Sequence, residues 1–313
     1  MPQPLQFYNA RIAPLFYAAQ FSECTKLARL PLKTFIALGE QALSNPNGRT
    51  VFYTCAGRSG STLLTRLLQV CDDQIVCFSE PDIFTVVSNL MQHHVLDDPT
   101  TIQILKAIFK FFCRHQSPDV TYFIKTRSNC TRLVPFVKSA LPAIKHMFTF
   151  RKDANRAITS MGKLMRKGGG DEVIFLSKLS PAIAFRAIGV LNNEYELVNK
   201  FGFDDCMELS MIAYASAFYH YHDNHDLYDI PVLNYEDLVE SPRETLRSVF
   251  DLCNLPYDDL IERSMKEISV DSQGGTVISR GELKQVPFEE FDEKRRETLT
   301  EIFDTLTLPK VWI

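Results

Sequence analysis

Short apolar runs alternate with helical patterns along most of the chain. Five runs rich in β-branched and aromatic residues predict buried strands, at 51–55, 75–78, 121–125, 145–150 and 231–235. Between them, apolar residues recur at helical spacing and predict helices at 61–71, 82–96, 100–115, 131–140, 154–166 and 204–222. Strands that alternate with helices favour right-handed βαβ units. We therefore expect an α/β fold with three layers, α/β/α, around a central parallel sheet.

The chain of 313 residues is interpreted as a single domain with three parts. We predict a helical lead-in over 1–48, a catalytic core over 49–282, and a C-terminal helix over 283–313. With 45% hydrophobic residues, the chain can bury one large core or two small ones. Two glycine-rich stretches, 167–170 and 272–275, are too short to link domains and are interpreted as parts of a mobile lid.

Composition narrows the classes of partner and location. Lys and Arg number 34 and Asp and Glu 38, so the net charge of −4 gives no reason to expect nucleic acid or an anionic membrane as a partner. The N-terminus lacks the basic and apolar regions of a signal peptide, and no apolar run approaches the ~20 residues of a membrane span. The eight scattered cysteines include no C-x-x-C pair and are interpreted as reduced core residues. We therefore expect a soluble, cytoplasmic protein.

The most informative segment follows the first predicted strand. Residues 55–68 read CAGRSGSTLLTRLL, so a loop with two glycines leads directly into a helix. Loop amides and the helix dipole at such a junction favour a phosphate, to which Ser61 and Thr62 add hydroxyl donors and Arg58 a positive charge. A nucleotide triphosphatase loop needs Gly-x4-Gly-Lys-Ser/Thr, and no lysine precedes Ser61. The sequence therefore predicts a phosphate loop unlike that of ATPases, with a simple helix cap as the alternative.

Three further motifs follow predicted strands, whose carboxyl ends meet at one edge of a parallel sheet. FIKTR spans 123–127, FRKDANRAITS spans 150–160, and NYEDLVESP spans 234–242. Together with the phosphate loop, and in this order, they resemble the sulfotransferase family, whose donor is 3′-phosphoadenosine 5′-phosphosulfate (PAPS). The resemblance covers roughly residues 50–282 and implies a sheet like that of P-loop NTPases.

The resemblance implies a donor site on the phosphate loop. In the family this loop binds the 5′-phosphosulfate, and its first basic residue, here Arg58, neutralises charge on the leaving phosphate. The matching positions in this sequence are Arg58, Ser59, Gly60, Ser61 and Thr62.

The resemblance places the donor's 3′-phosphate on Arg151 and Ser160. The family spaces this pair by eight residues, so two pairings stay open: Arg151 with Thr159, or Lys152 with Ser160. We favour Arg151, because a guanidinium fork suits phosphate better than a point charge does. The match also puts Tyr235 near the adenine. The place of the family's C-terminal donor loop is taken, without its familiar Arg-Lys-Gly form, by Ser272, Gln273, Ser279 and Arg280.

The residues expected to act on the acceptor differ from those of cytosolic members of the family. Those members carry Lys-Thr/Ser-His after the third strand, with the histidine as base. Here the triplet ends in Arg127, which cannot accept a proton near neutral pH. Golgi-type and tyrosylprotein members carry a glutamate after the second strand, and Glu80 occupies that place. We therefore predict that Glu80 is the base and that Arg58 and Lys125 stabilise the bridging oxygen.

Several alternatives stay open. His93 and His94 are other candidate bases, and a strand-end carboxylate such as Glu80 is also suited to capping the next helix. A P-loop nucleotide or small-molecule kinase would need a loop lysine and carboxylates that hold Mg²⁺. A protein that binds PAPS without catalysis is the other rival.

The sequence thus favours a sulfotransferase that moves a sulfuryl group from PAPS to a hydroxyl or amine by in-line transfer. The acceptor is expected to be a small molecule, and no metal is expected. Arg127 hints at an anionic feature of the acceptor. An apolar wall for it is predicted from Phe84, Val87, Leu90, Phe109 and Phe112.

Overall fold

A computed structural model describes residues 15–16, 25, 28–42, 49–71, 74–113, 120–179, 195–255, 258–276 and 279–313. Much of the predicted lead-in over 1–48 lies outside the described residues, and its described part contains one helix, Leu32–Gln41. Within the described chain, no helix has both the length and the apolar character needed to cross a membrane.

Five parallel strands form the central sheet, which confirms the predicted fold class. They are β1 (Thr50–Cys55), β2 (Ile75–Ser79), β3 (Thr121–Lys125), β4 (Lys145–Phe150) and β5 (Leu233–Asn234), in the spatial order β2-β3-β1-β4-β5. In register, Val51 of β1 pairs with Phe123 on one side and with Lys145 on the other. Because every pair is parallel, all the carboxyl ends lie at one edge of the sheet.

The helices occupy the chain between and after the strands. In the described residues they are α1 (Leu32–Gln41), α2 (Ser61–Cys71), α3 (Asp82–Gln92), α4 (Asp98–Phe112), α5 (Val134–Ala140), α6 (Ala154–Lys167), α7 (Gly170–Leu179), α8 (Tyr195–Phe201), α9 (Cys206–His222), α10 (Tyr235–Glu240), α11 (Pro242–Cys253), α12 (Asp258–Met265), α13 (Arg280–Lys284) and α14 (Glu293–Thr305). Short 3₁₀ helices lie at Ser128–Leu133, His225–Leu227 and Lys310–Trp312.

Helices cover both faces of the sheet, because successive strand residues point to opposite faces and both sets are apolar. On one face, Tyr53 of β1 and Phe123 of β3 pack with α2 and α11. On the other face, Phe52 packs with α3 and α4, and Phe148 of β4 packs with α6, α9 and α14. The three predicted layers follow from this packing.

Side-chain caps explain where three helices begin. Asp97 accepts a hydrogen bond from the Thr100 amide at 2.9 Å, so α4 begins two residues before its predicted start. Asp205 caps α9 in the same way. Asn234 accepts from the Asp237 amide at 2.8 Å, which turns the chain into α10 and leaves β5 shorter than the predicted 231–235.

The C-terminal segment contains two helices, α13 and α14, where one was predicted over 283–313. Pro287 lies between them, and proline both lacks an amide donor and disfavours helix in the residue before it. The next residue, Phe288, packs on Gly162 of α6, where an added Cβ would lie 2.1 Å from the ring. The break thus anchors the C-terminal segment to α6.

Candidate active site

A cavity of about 1080 Å³ opens at the carboxyl ends of the strands. It is lined by Cys55 of β1, Glu80 after β2, Lys125 of β3, Arg151 after β4 and Tyr235 after β5. The described lining contains eight basic and two acidic side chains, whereas the whole chain has a net charge of −4. The cavity therefore concentrates positive potential and favours an anionic ligand.

The phosphate loop after β1 is shaped by left-handed backbone conformations. Arg58 has a φ of 62° and Gly60 a φ of 76°. A Cβ atom at Gly60 would lie 2.3 Å from Cδ2 of the Tyr235 ring, so glycine is what allows the ring to pack on the loop. The first helical bond of α2 runs from the Leu64 amide to the Gly60 carbonyl at 3.0 Å. The preceding amides, from Ser61 onward, have no acceptor within the helix and suit an anion.

The side chains of the loop divide into two groups. Ser61 and Thr62 line the cavity, as predicted for a donor site. Ser59 is 2% exposed, and its Oγ lies 3.1 Å from Oγ1 of Thr149, which in turn lies 3.0 Å from the Tyr53 hydroxyl. The Ser59 hydroxyl thus ties the loop to β4, and the assignment of Ser59 to the donor loop stays a prediction.

The Arg58 guanidinium has neutral hydrogen-bond partners. Its Nε donates to Ser160 Oγ at 2.8 Å, and its Nη1 donates to Gln273 Oε1 at 3.0 Å. Burial lowers the pKa of Arg58, and the charge of Arg151 lowers it further, while Glu80 opposes the shift. An arginine remains protonated in a protein, so this residue keeps a positive charge, and no carboxylate of the described residues hydrogen-bonds to it.

Arg151 lies over the ring of Tyr235, with its Cζ 4.4 Å from the ring centroid. Its Nε is 3.6 Å from a carboxylate oxygen of Glu236. Lys152, in contrast, is 55% exposed and pairs with Asp237 at 2.9 Å. Arg151 lines the cavity, whereas Lys152 is not part of the described lining.

Both candidate hydroxyls of α6, Thr159 and Ser160, line the cavity. The start of α6 is fixed by Asp153, which accepts a hydrogen bond from the Arg156 amide at 3.0 Å. Ser160 accepts a hydrogen bond from Arg58, which leaves its hydroxyl proton free, so both hydroxyls can still donate to an anion.

Glu80 lies between two cations. Lys125 Nζ donates to Glu80 Oε1, and Arg127 Nε lies 3.4 Å from Oε2. Arg127 also pairs with Asp82 at 2.8 Å and donates to Thr85 Oγ1 at 3.3 Å. Lys125 is 2% exposed, so salt screens its pair with Glu80 only weakly.

These contacts hold Glu80 ionised in an uncommon backbone conformation. Burial raises the pKa of Glu80, but the charges of Lys125 and Arg127 and their hydrogen bonds outweigh it, so the pKa lies below its usual value. The φ of Glu80 is 59°, in a region where residues other than glycine cluster at functional sites. Since β3 lies between β2 and β1, Lys125 lies between Glu80 and the phosphate loop.

Asp271 closes the C-terminal loop that was predicted to contact the donor. Its carboxylate accepts hydrogen bonds from the amides of Gln273 at 3.1 Å and Arg280 at 3.0 Å. Gln273 and Arg280 line the cavity. Ser279 is not in the described lining, and its hydroxyl accepts from the Glu282 amide at 3.3 Å as the cap of α13. The assignment of Ser279 to the donor stays a prediction.

The alternative bases lie away from the cavity. His93 and His94 are exposed beyond the end of α3, whereas Glu80 faces the cavity. Within the described residues, no group of three His, Cys, Asp or Glu side chains is placed to hold a metal ion.

The apolar wall of the cavity differs from the predicted one. Phe84, Val87 and Phe109 are buried core residues that pack with Phe52 on the face of the sheet. The observed wall comes from α6 and α9 and consists of Met161, Leu164, Met165, Leu209 and Ala213.

Sequence reasoning also missed basic residues of the cavity. Arg156 and Lys163 lie seven residues apart on α6, with Ser160 between them, and all three line the cavity. This i, i+4, i+7 spacing places side chains on one helix face and is a signal that could have found them. Lys284 of α13 offers no such signal, because its position depends on the break at Pro287.

We name the two parts of the cavity by their residues. The loop end comprises residues 57–58 and 60–62 with Arg151 and Tyr235, and the carboxylate end comprises Glu80, Lys125 and Arg127.

Comparison with known proteins gives matches among solved structures. No family model and no curated protein matches the chain. The chain is similar to the sulfotransferase domain from the curacin biosynthetic pathway, with 14% identity over 85% of this chain and 99% of that chain and a TM-score of 0.46. It is also similar to sulfotransferase STF9 from Mycobacterium avium, with 12% identity over 90% of this chain and 82% of that chain and a TM-score of 0.44. A third similar structure is the sulfotransferase domain from the Synechococcus PCC 7002 olefin synthase, with 12% identity over 85% of this chain and 96% of that chain and a TM-score of 0.43. The function proposed below rests on the residues of the cavity.

Proposed function

We propose that this protein is a sulfotransferase, which transfers a sulfuryl group from PAPS to a hydroxyl or amine of a small-molecule acceptor. One observation carries the proposal: the phosphate loop and the ion-paired carboxylate of Glu80 face one cavity, with Lys125 between them. A kinase loop would instead have a lysine before Ser61, where this chain has Gly60.

The loop end suits the donor. The amides at the start of α2 and the charge of Arg58 would bind the 5′-phosphosulfate. Arg151, with Thr159, would bind the 3′-phosphate by its guanidinium fork. The Tyr235 ring, which packs on Gly60, offers an aromatic surface to the adenine.

The carboxylate end suits activation of the acceptor. In the proposed step the acceptor oxygen attacks sulfur, and its proton moves to the carboxylate of Glu80. The bond between sulfur and the bridging oxygen breaks, and its electron pair stays on that oxygen. The products are a sulfated acceptor and 3′,5′-bisphosphoadenosine (PAP), and the proton on Glu80 is then lost to solvent.

Fixed charge supports this step where negative charge grows. A lysine ammonium has three donors, and Lys125 uses one of them on Glu80, so another can bond the bridging oxygen. A preorganised donor of this kind contributes roughly 10²–10³-fold to the rate. Because its pKa is lowered, Glu80 is a weak base that is fully ionised, and we assign it roughly 10²–10⁴-fold.

A second candidate is a protein that binds PAPS without transferring its sulfuryl group. The observation that favours it is that Lys125 and Arg127 both engage the Glu80 carboxylate, which leaves less of it for a substrate proton.

Thermal unfolding with nucleotides tests the donor site. PAP is compared with adenosine 5′-phosphate, which lacks the 3′-phosphate, and with ATP–Mg²⁺. A site filled at about 100 times the dissociation constant stabilises the fold by about 2.7 kcal/mol, which raises the midpoint by several degrees. We expect this shift with PAP, a smaller one with adenosine 5′-phosphate, and none with ATP–Mg²⁺.

The other outcomes decide between the rivals. A shift with ATP–Mg²⁺ and none with PAP would favour a kinase, and no shift with any nucleotide would reject the donor site. A shift with PAP together with no turnover of any acceptor would favour the binding protein.

A further inference from the structure

The lining of the cavity includes two further lysines, the half-buried Lys163 of α6 and the exposed Lys284 of α13. Among the residues that the structure describes, neither ammonium group makes an ion pair or a hydrogen bond. Lys167, one turn further along α6, differs: it pairs with Glu282 of α13 at 2.5 Å and is not in the described lining. The same two helices thus present one neutralised lysine outside the cavity and two charged ones within it.

The other basic side chains of the lining have partners or roles. Lys125 pairs with Glu80, Arg127 pairs with Glu80 and Asp82, and Arg156 pairs with Asp153 at 3.1 Å. The remaining arginines are Arg58 and Arg151, which serve the donor's phosphates in the proposed function, and Arg280, which lies on the loop predicted to contact the donor. Lys163 and Lys284 are therefore not needed to account for the donor's charge.

Apolar side chains lie directly beside the two lysines. Leu164 follows Lys163 in α6, Leu283 precedes Lys284 in α13, and both leucines line the cavity. The wall continues with Met161, Met165, Leu209 and Ala213. Two lysines next to an apolar wall are complementary to a molecule with an apolar body and one anionic group.

We propose that the acceptor is such a molecule: its reacting hydroxyl lies at Glu80, its body lies on the apolar wall, and a carboxylate binds Lys163 and Lys284. This inference rests on the proposed function, and it names the acceptor class. We specify a carboxylate because the two lysines offer point charges and lack the guanidinium fork that suits phosphate.

Calorimetric titration with two matched ligands tests the proposal. Protein saturated with PAP is titrated with 6-hydroxy-2-naphthoate and with 2-naphthol, which differ by the carboxylate. We expect the wild type to bind the naphthoate about tenfold more tightly, since two partly exposed ion pairs together supply about that factor. The preference should shrink as salt is added, because salt screens such pairs.

Variants assign the preference to particular lysines. The double variant Lys163→Gln/Lys284→Gln should bind the two naphthalenes equally. Lys167→Gln removes a charge of the same helix that already has a partner, and it should retain the preference. Thermal unfolding of each variant checks that the fold is intact.

Three results would overturn the proposal. They are equal affinity of the wild type for the two ligands, binding of neither ligand, and weaker PAP binding in the double variant, which would assign the lysines to the donor. Failure of the proposed function is seen separately, as absence of PAP binding by the wild type before any naphthalene is added.

Discussion

Arg58 at the loop end of the cavity and Lys125 at the carboxylate end have hydrogen-bond partners of opposite kinds. At the loop end, Arg58 donates its hydrogen bonds to the neutral side chains of Ser160 and Gln273. At the carboxylate end, Lys125 donates to Glu80, so positive charge meets negative charge within the protein. The loop end therefore has charge to offer to the anions of a ligand, whereas the carboxylate end uses its charge to keep one carboxylate ionised and aimed.

This difference implies that binding of the nucleotide and transfer of the sulfuryl group depend on different residues. Changes at the loop end should alter nucleotide affinity, and changes at the carboxylate end should alter the transfer rate.

Glu80→Gln should slow transfer by roughly 10²–10⁴-fold, because it removes the base while keeping the shape of the side chain. PAP should bind the variant at least as tightly as it binds the wild type, since Lys125 then keeps its charge for the ligand. Single-turnover transfer from PAPS and calorimetric titration of PAP measure the two effects. Unchanged transfer would exclude Glu80 as the base, and a parallel loss of rate and affinity would indicate a structural role.

A loss of activity in acid can come from protonation of cavity residues or from unfolding of the protein. The buried His146 provides a way to distinguish the two. This β4 residue is 0% exposed, and neither ring nitrogen has a hydrogen-bond partner among the described residues. Burial lowers the pKa of His146 to about 4, and the charge of Lys138 adds to the shift. The unfolded value is about 6.5, so the unfolded state binds the proton more readily and the free energy of unfolding falls as the pH drops between these values.

Protonation of His146 should lower the free energy of unfolding by about 3 kcal/mol when the pH has fallen to the folded pKa of this residue. Urea unfolding in buffers from neutral to acid measures it, with His146→Gln as the variant that should flatten the slope. An equal slope in the wild type and the variant would contradict the assignment.

Arg58→Ala should weaken PAP binding by roughly 10–100-fold, the usual worth of hydrogen bonds from a charged group. Arg66→Ala is the matched control, because Arg66 lies on the adjoining helix α2 and pairs with Glu267 at 2.9 Å, outside the described lining. It should leave the affinity within about twofold, as expected of a surface pair. Similar losses in both variants, by calorimetric titration, would count against a special role for Arg58.

Arg127→Gln should change the pH dependence more than the rate. The pKa of Glu80 lies below its usual value, so its ionised form persists in mild acid and the wild-type rate should stay level as the pH falls from neutral. Loss of the Arg127 charge raises the pKa of Glu80, so the acid limb of kcat/KM should move to higher pH, with less than about tenfold change in rate at neutral pH. A limb that does not move would mean that another group sets it.

The fold was largely predictable because its signals are local. The strand at β1, the glycine loop and the apolar spacing of α2 are contiguous in sequence, and β3 and β4 have the bounds that were predicted. The ends of elements were harder, since they depend on single caps. Asn234 turns the chain into α10 two residues after β5 begins, and no periodicity in the strand pattern reveals that.

The site was less predictable because it depends on contacts between distant segments. Ser59 matched the loop motif, yet Thr149 turns its hydroxyl inward from ninety residues away. The pair of Glu80 and Lys125 requires β2 and β3 to be neighbours, which strand order alone decides. Lys284 reaches the cavity only because the C-terminal segment breaks into two helices.

The most direct test of the account is a product analysis. The protein is incubated with PAPS and a set of hydroxyl and amine acceptors that includes 6-hydroxy-2-naphthoate, and mass spectrometry measures the sulfated product and PAP. We predict that both appear in equal amounts with the wild type and far more slowly with Glu80→Gln. Intact PAPS and no sulfated product from any acceptor, in a protein that binds PAP, would contradict catalysis and leave a nucleotide-binding protein.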